Sequence, residues 1–573
     1  MTTQKITFQH TEFADTGLPA FAVLAPALES LEIQECTNFE PLVVSNGSFK
    51  GLEATLRNLT IDSCNLKEVP TAVTDLNKLE TLVLANNKID HIHAPTLAGK
   101  KELSYLDLSG NFITNVDDGA FEPLQKLETL IFGEHNYINN TVMDAIASLK
   151  SLKTLDLSRA DGIFEPPMEL FDALPHLEVL KLSGCSIHSL DPGTFASLKN
   201  LTQLDLRVNL IQNISAYAFD GLSKLTRLSL AGNYIRNVDK DLWIGLDNLT
   251  EIDLGWNEIK QLSYDAFLPL SDNLLTLNLR HNPLKTVPST GLKNLRSLLL
   301  SECPIGTIGE DQLKDYPALE ALDVSKCNLT QLHPNAFVSQ THSLKTLHLQ
   351  RNQLKTLDPK ILKDLESLEH LDVSGNPFIC DSETAKFVFA VEDRYKSAAK
   401  EGKEFLIANA NETLCDRPYT LRHQPLLDVD SNDFQPYDEK LDTTTAPSTT
   451  TVEAGSTTEE VTTPFSLPDL FVGSKTNETL FKEEPRREVY DLNKANDPKD
   501  AMEQQEGESS YTMPATIIVI AIISAIAIVA VGLFMRKKRK IAVEEENRTK
   551  KKVSKLEDGM VEIELDSNIA PRK

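Results

Sequence analysis

The chain has 573 residues and a formal net charge of −27, which is too acidic for a protein whose main task is to grip nucleic acid. Apolar residues make up 41% of it and charged residues 25%, so it holds enough core-forming material for one large or several ordinary domains, and global disorder is excluded. Seven cysteines are too few for a small disulfide-stapled scaffold.

The pattern L-x-x-L-x-L-x-x-N-x-L repeats along most of the chain with a period of about 24 residues. Residues 28–376 hold about 15 copies, which start at Leu28, Leu56, Leu79, Leu103, Leu127, Leu152, Leu177, Leu201, Leu225, Leu249, Leu274, Leu295, Leu319, Leu344 and Leu368. Each copy predicts a short strand whose alternate Leu and Ile side chains enter a core shared with the next copy. The asparagine at position 9 is expected to satisfy backbone groups where the chain leaves the strand.

Residues 1–27 fit the same register as a truncated first repeat, with Ile6, Phe8 and Phe13 in repeat positions. The apolar stretch from Leu18 to Leu28 is interrupted by two prolines and poor in positive charge, so it is not a convincing signal peptide. We therefore expect that the sequence is truncated or begins inside a longer protein.

A second apolar position recurs about six residues before each new copy and predicts a spine on the convex side. Its members are Phe49, Phe121, Phe195, Phe219, Trp243, Phe267 and Phe337. Trp243 is thus expected in the core. Five cysteines take the asparagine position and are interpreted as buried, reduced thiols: Cys36, Cys64, Cys185, Cys303 and Cys327.

These copies resemble the typical leucine-rich repeat of extracellular, single-pass membrane proteins of animals, a receptor and adhesion family. The resemblance implies an α/β solenoid, a horseshoe with a concave parallel β-sheet. Residues 377–430 resemble the C-terminal cap of that family, in which four cysteines pair first to third and second to fourth. Here Cys380 and Cys415 match one of those pairs, and the resemblance implies a bridge between them, worth about 3–4 kcal/mol on the chain-entropy model.

Nine glycosylation sequons precede the apolar segment near the C-terminus: Asn46, Asn58, Asn139, Asn200, Asn213, Asn248, Asn328, Asn411 and Asn477. The repeat pattern stops over residues 431–514, within which 443–464 is rich in Thr and Ser with proline, and this predicts an O-glycosylated stalk that does not fold. Residues 515–535 are 21 uncharged residues, long enough for one transmembrane helix, and the basic cluster that follows favours a cytoplasmic tail over 536–573. The predicted location is the plasma membrane with the repeats outside.

Side chains between the strand leucines are expected on the concave surface. At one such position of the repeat an aspartate recurs, which we interpret as a common feature of these repeats on a solvated strand surface. This aspartate column comprises Asp107, Asp156, Asp205, Asp253, Asp323 and Asp372. An indole beside basic groups is typical of interface hot spots. The candidate ligand-binding patch therefore comprises Arg207, Glu251, Asp253, Trp256, Asn278, Arg280 and His281.

No catalytic set, phosphate loop or metal cluster stands out, and the scattered histidines have no catalytic or metal-ligand residues at a suitable spacing. We therefore expect neither an enzyme nor a cofactor or metal. The leading hypothesis is that the concave face binds an extracellular or cell-surface protein ligand in cell adhesion or cell–cell recognition, with homophilic or co-receptor pairing open. The alternatives are an immune pattern-recognition or co-receptor subunit that signals through a partner chain, and a structural surface glycoprotein. The fold alone does not separate them.

Overall fold

The computed structural model describes residues 4–11, 18, 21, 27–37, 41–439 and 442. Within them, one 17-stranded sheet runs the length of the repeats, and each strand pairs in parallel with the next strand along the chain. The strands are Lys5–Gln9, Ser30–Gln34, Asn58–Asp62, Thr81–Val83, Tyr105–Asp107, Thr129–Ile131, Thr154–Asp156, Val179–Lys181, Gln203–Asp205, Arg227–Ser229, Glu251–Asp253, Thr276–Asn278, Ser297–Leu299, Ala321–Asp323, Thr346–His348, His370–Asp372 and Leu406–Ala408. The protein is a parallel β-solenoid, as the repeat pattern predicts.

In the described part of the chain, four smaller parallel pairs lie outside this sheet. They join His91–Ile92 to Asn115–Val116, Ser189–Leu190 to Asn213–Ile214, Thr307–Ile308 to Gln331–Leu332, and Phe378–Ile379 to Cys415–Arg417. The α-helices within these same residues are Asn140–Ala147, Met168–Asp172, Lys360–Asp364 and Ser382–Glu401. Short 3₁₀ turns occupy Thr71–Val73, Ala94–Leu97, Lys240–Trp243, Leu268–Leu270, Val338–Gln340, Ala410–Glu412, Tyr419–Leu421 and Leu426–Asp428.

The first strand lies one period before the second. Lys5 pairs with Ser30, and Ile6 and Phe8 pack half-buried against the core. Phe13 lies outside the described residues. The register predicted for the first copy is therefore confirmed for its strand.

The predicted spine is buried. Phe195 stacks on Phe219 at 6.1 Å between ring centroids, and Trp243 stacks on Phe267 at 5.4 Å. The Trp243 indole nitrogen donates to the Ala266 carbonyl at 2.7 Å, so this buried polar atom is satisfied. Phe49, Phe121 and Phe337 are buried in the same way. The prediction that Trp243 belongs to the core is confirmed.

The position-9 asparagines form a buried ladder. In Asn257 the side-chain amide donates to the carbonyls of Leu230 and Leu254 at 3.0 Å, while its oxygen accepts from the Ile235 amide at 3.0 Å. One side chain thereby satisfies backbone groups of its own repeat and of the preceding one, as predicted.

The aspartate column also serves the turn after each strand. The Asp253 carboxylate accepts from the Gly255 amide at 2.9 Å, and the same bond recurs along the column, for example from Ser325 to Asp323 at 3.0 Å. Asp107 and Asp372 are buried, so the expectation of a solvated surface is wrong for these two.

One prediction about the cysteines is wrong. Cys36 and Cys64 form a disulfide, with Cα atoms 4.7 Å apart, because position 9 of one repeat lies directly beside position 9 of the next. Cys185, Cys303 and Cys327 are free and buried, as predicted. Burial raises their thiol pKa values, to about 12 for Cys185 and Cys327 and about 11 for Cys303.

The C-terminal cap closes the open end of the solenoid. Helix Ser382–Glu401 begins at Asp381, whose carboxylate accepts from two first-turn amides at 3.0 Å, and ends at Gly402 in the left-handed region. Strand Leu406–Ala408 then extends the main sheet. The Cys380–Cys415 disulfide that the resemblance implies is present.

No helix within the described residues is both long and apolar enough to cross a bilayer. The predicted stalk, transmembrane segment 515–535 and tail 536–573 lie outside those residues, apart from the first part of 431–514.

Candidate functional site

Every repeat turns sharply just after its strand, at the residue before the position-9 side chain. The backbone amide of this position-8 residue donates to a carbonyl of the next repeat: Trp256 to Arg280 at 2.8 Å, and His281 to Ser301 at 2.8 Å. To donate this hydrogen bond, the residue adopts the left-handed region of the backbone, with φ of +57° at Trp256 and +54° at His281. Glycine adopts this conformation without strain, whereas for other residues it costs about 1–2 kcal/mol of conformational free energy.

Some repeats do place glycine there. Gly110, Gly184, Gly232 and Gly375 have φ between +64° and +72°. The other eleven repeats carry a non-glycine residue there with φ between +53° and +62°, and five successive ones in the C-terminal half have large or charged side chains. We call these residues the turn row: Trp256, His281, Glu302, Lys326 and Arg351.

The turn row is connected through its side chains. The Trp256 indole stacks on the His281 imidazole, with 3.2 Å between ring centroids and 15° between ring planes. His281 Nε2 lies 3.0 Å from a carboxylate oxygen of Glu302, whose other oxygen lies 2.6 Å from Lys326 Nζ. Arg351 extends over Gly375 in the next repeat. An aromatic ring, an imidazole, an acid and a base thus form one line across four repeats.

The stack affects the charge of His281. Burial lowers the imidazole pKa below its ordinary value, and Arg280 and Lys326 act in the same direction, while Glu302 opposes them. The neutral ring is therefore the form that fits against the indole near neutral pH.

The other residues of the predicted patch lie on the strands or, as Arg207 and Arg280 do, two residues after a strand ends, and most of them are already paired. Arg207 forms a bidentate contact with Asp205, with its Nη2 2.7 Å from the carboxylate. Glu251 accepts from Arg227 Nε at 3.0 Å. The charges of Arg207 and Glu251 are thus balanced by neighbouring side chains and are less available to a ligand.

The remaining three predicted residues behave differently. Asn278 is buried, and its side-chain oxygen accepts from the Arg280 amide at 3.1 Å, so it serves the turn. Burial raises the Asp253 pKa, against the charges of Arg280 and Arg207. The Arg280 Nε is buried and has no hydrogen-bond partner among the described residues. Arg280 is thus the predicted residue with unused donor capacity.

The structure therefore brings Trp256, Arg280 and His281 together, as the sequence predicts, but places the two rings in the turn rather than on the strand. Sequence reasoning missed Glu302 and Lys326. The signal that would have found them is their place directly before the cysteines at position 9, one and two repeats after His281.

Sequence reasoning also missed a second group, formed by His91, His93 and Asp117. Their ligand-type atoms lie within 4.8 Å of one another. The available signal was His-x-His followed by an aspartate one repeat later.

The predicted sequons differ in exposure. Asn46, Asn213, Asn248, Asn328 and Asn411 are exposed, Asn58, Asn139 and Asn200 are half-buried, and Asn477 lies outside the described residues. Glycan attachment at each stays a prediction.

Comparison with known proteins identifies the repeats. The protein-family model described as "Leucine rich repeat" matches residues 54–113, 101–161, 175–235, 223–284 and 317–378. The chain belongs to the leucine-rich-repeat proteins.

Among curated relatives, mouse CD180 antigen is 24% identical over 74% of this chain and 56% of its own length. Mouse podocan is 27% identical over 51% of this chain and 39% of its own length. The chain thus spans well under two thirds of either relative. The solved structure of a TLR13–ssRNA13 complex aligns with TM-score 0.56 and 27% identity, and covers 74% of this chain and 64% of the other.

Proposed function

We propose that this chain is a plasma-membrane recognition protein that binds a protein ligand through the turn row, in cell adhesion or cell–cell recognition. Its repeats lie outside the cell, residues 431–514 act as a stalk, residues 515–535 span the membrane and 536–573 form a short cytoplasmic tail. The membrane topology rests on the uncharged segment and the basic cluster that follows it.

The observation that carries the proposal is the aromatic stack within the turn row. Trp256 and His281 are adjacent members of the row, and their rings lie face to face in the turn that follows each strand. The left-handed backbone recurs at position 8 of all fifteen repeats, so it places these side chains but does not single them out.

The chemistry of the row suits a protein ligand. Trp and Arg are enriched in interface hot spots, and Arg280 directly precedes His281 in the same turn. The exposed rim consists of charged groups, such as Lys326 and Arg351, that give specificity and steer association. A nucleic-acid ligand is disfavoured by the net charge of −27 and by the neighbouring aspartate column.

A second candidate function is an immune co-receptor subunit. It is favoured by the match to CD180 antigen, which extends over 74% of this chain. In this candidate function the chain signals through a partner chain.

The test displays the full chain, behind a supplied signal peptide, on non-adherent cells. Expressing cells are mixed with like cells and, separately, with unmodified cells. Clustering between expressing cells alone indicates homophilic adhesion, and clustering with unmodified cells indicates a ligand on the other surface. If surface staining shows folded protein and neither mixture clusters, adhesion is contradicted and the co-receptor candidate is preferred.

A further inference from the structure

Two neighbouring repeats place three metal-ligand side chains together, away from the turn row in sequence. His91 lies in the strand His91–Ile92 of a small parallel pair, His93 directly follows that strand, and Asp117 directly follows the partner strand Asn115–Val116. His91 Nε2 lies 2.5 Å from one Asp117 carboxylate oxygen, and His93 Nδ1 lies 3.5 Å from the other. The two imidazole rings are 4.0 Å apart between centroids.

The backbone fixes the carboxylate in this position. The Asp117 amide donates to the Ile92 carbonyl at 3.0 Å, and the Ala94 amide donates to the Asp117 side chain at 3.1 Å. Such a second hydrogen bond orients a carboxylate and holds it toward the imidazoles, as outer-shell bonds do in metal sites. The three side chains therefore meet through the fold itself.

The other repeats show that the turn does not need these residues. Ser189–Leu190 and Asn213–Ile214 form the same type of pair without histidine, as do Thr307–Ile308 and Gln331–Leu332. His333 stands at the position equivalent to His93, but its Nδ1 accepts from the Asn335 amide at 3.2 Å. A cluster of two histidines and an aspartate is thus a local addition to the repeat.

From this geometry we propose that His91, His93 and Asp117 bind one Zn²⁺ ion. Two imidazoles and one carboxylate are the nitrogen and oxygen ligands that zinc prefers, and three protein ligands leave a coordination position open. That position faces solvent, because the side chains of His91, His93 and Asp117 are 29%, 53% and 36% exposed. The ion joins two successive repeats and can accept a water molecule or a partner's side chain.

The competing account is an ordinary surface network of imidazoles and a carboxylate, in which a proton takes the place of the metal. Such exposed pairs contribute little to stability and need no bound ion. The two accounts differ in zinc stoichiometry and in the effect of zinc on thermal unfolding.

The test uses the full chain, purified in detergent and freed of metal with a chelator. Zn²⁺ binding is measured by calorimetry, and Co²⁺ is added separately to record its visible absorption. The variants are His93→Ala, which removes an exposed ligand, and Asp117→Asn, which keeps the carbonyl that accepts from Ala94. His333→Ala is the matched control, because it removes a histidine from the same repeat position without touching the cluster.

We expect one strong zinc site per chain, a zinc-dependent rise in Tm, and Co²⁺ bands typical of four-coordinate nitrogen and oxygen ligation. Each ligand variant is expected to weaken binding at least tenfold and to abolish the Tm rise, while its metal-free Tm stays near that of the unsubstituted protein. The control is expected to bind normally. Absence of a strong site in the unsubstituted chain, or equal binding by the ligand variants, overturns the proposal. The outcome is independent of whether the turn row binds a ligand.

Discussion

The indole of Trp256 lies flat against the imidazole of His281, 3.2 Å away between ring centroids, although the two residues belong to different repeats. Both reach this position because their amides bond forward to the next repeat, which fixes the left-handed turn. The same backbone ladder that joins the repeats therefore also presents the aromatic surface.

The two tryptophans are expected to respond oppositely to truncation. Trp243→Ala removes a fully buried ring and is expected to lower the free energy of unfolding by about 3–5 kcal/mol. Trp256→Ala removes a half-buried ring from a turn and is expected to change it by about 1 kcal/mol or less. Thermal unfolding of the two variants checks this, and equal losses would contradict the assignment of Trp256 to a binding surface.

Acidification is expected to weaken the stack. The folded-state pKa of His281 is lowered, so the folded protein binds fewer protons than the unfolded chain below the ordinary pKa of about 6.5. The contribution of this residue is complete above that pH and is lost as pH falls. The Tm of the unsubstituted protein should fall further than that of His281→Gln between about pH 7.5 and about pH 5.5. A His333→Gln control should follow the unsubstituted protein, and identical falls in all three would contradict the prediction.

The asparagine ladder predicts that substitutions at position 9 lower stability by different amounts, depending on whether the new side chain can still form hydrogen bonds. Asn257→Ala leaves the buried Ile235 amide without its acceptor and is expected to cost about 1–3 kcal/mol of stability. Asn257→Cys should cost less, because the Cys185 and Cys327 thiols at the same position lie 3.1 and 3.0 Å from backbone carbonyls. Chemical denaturation of both variants measures the difference. Equal stabilities of the two variants would show that the thiol does not substitute for the amide.

The disulfide between Cys36 and Cys64 is expected to be a stability element of the first repeats. The double substitution of both residues by serine should lower the free energy of unfolding by about 3–4 kcal/mol, because the bridge closes a loop of 28 residues in the unfolded chain. Peptide mapping without reduction should recover this pair and the Cys380–Cys415 pair, with three free thiols. Recovery of Cys36 and Cys64 as free thiols would contradict the structure.

The repeat period was sufficient to predict the sheet, its register and the spine, because each leucine in the pattern has one place in the solenoid. It did not predict contacts between neighbouring copies. Cys36 and Cys64 pair because the same position of two repeats is adjacent, a relation that appears only when the copies are stacked. Glu302 and Lys326 were missed for the same reason, since alone each is an unremarkable surface charge.

The candidate site was predicted in part. Trp256 and Arg280 stood out by residue type, but the turn geometry that strains the row has no signature in a single copy. Asp253 and Asn278 were included because they occupy the strand face, whereas the structure uses their side chains to close the turn.

The central claim is that the turn row is the recognition surface, and the most direct measurement is the clustering rate of cells that display the full chain with Trp256→Ala. The control is Tyr264→Ala, which removes an exposed aromatic ring of the same repeat outside the row. At matched surface density we expect Trp256→Ala to lower clustering at least tenfold, as a hot-spot loss of about 1.4 kcal/mol or more implies, and Tyr264→Ala to leave it unchanged. Unchanged clustering in the Trp256 variant, or equal loss in both variants, would contradict the account.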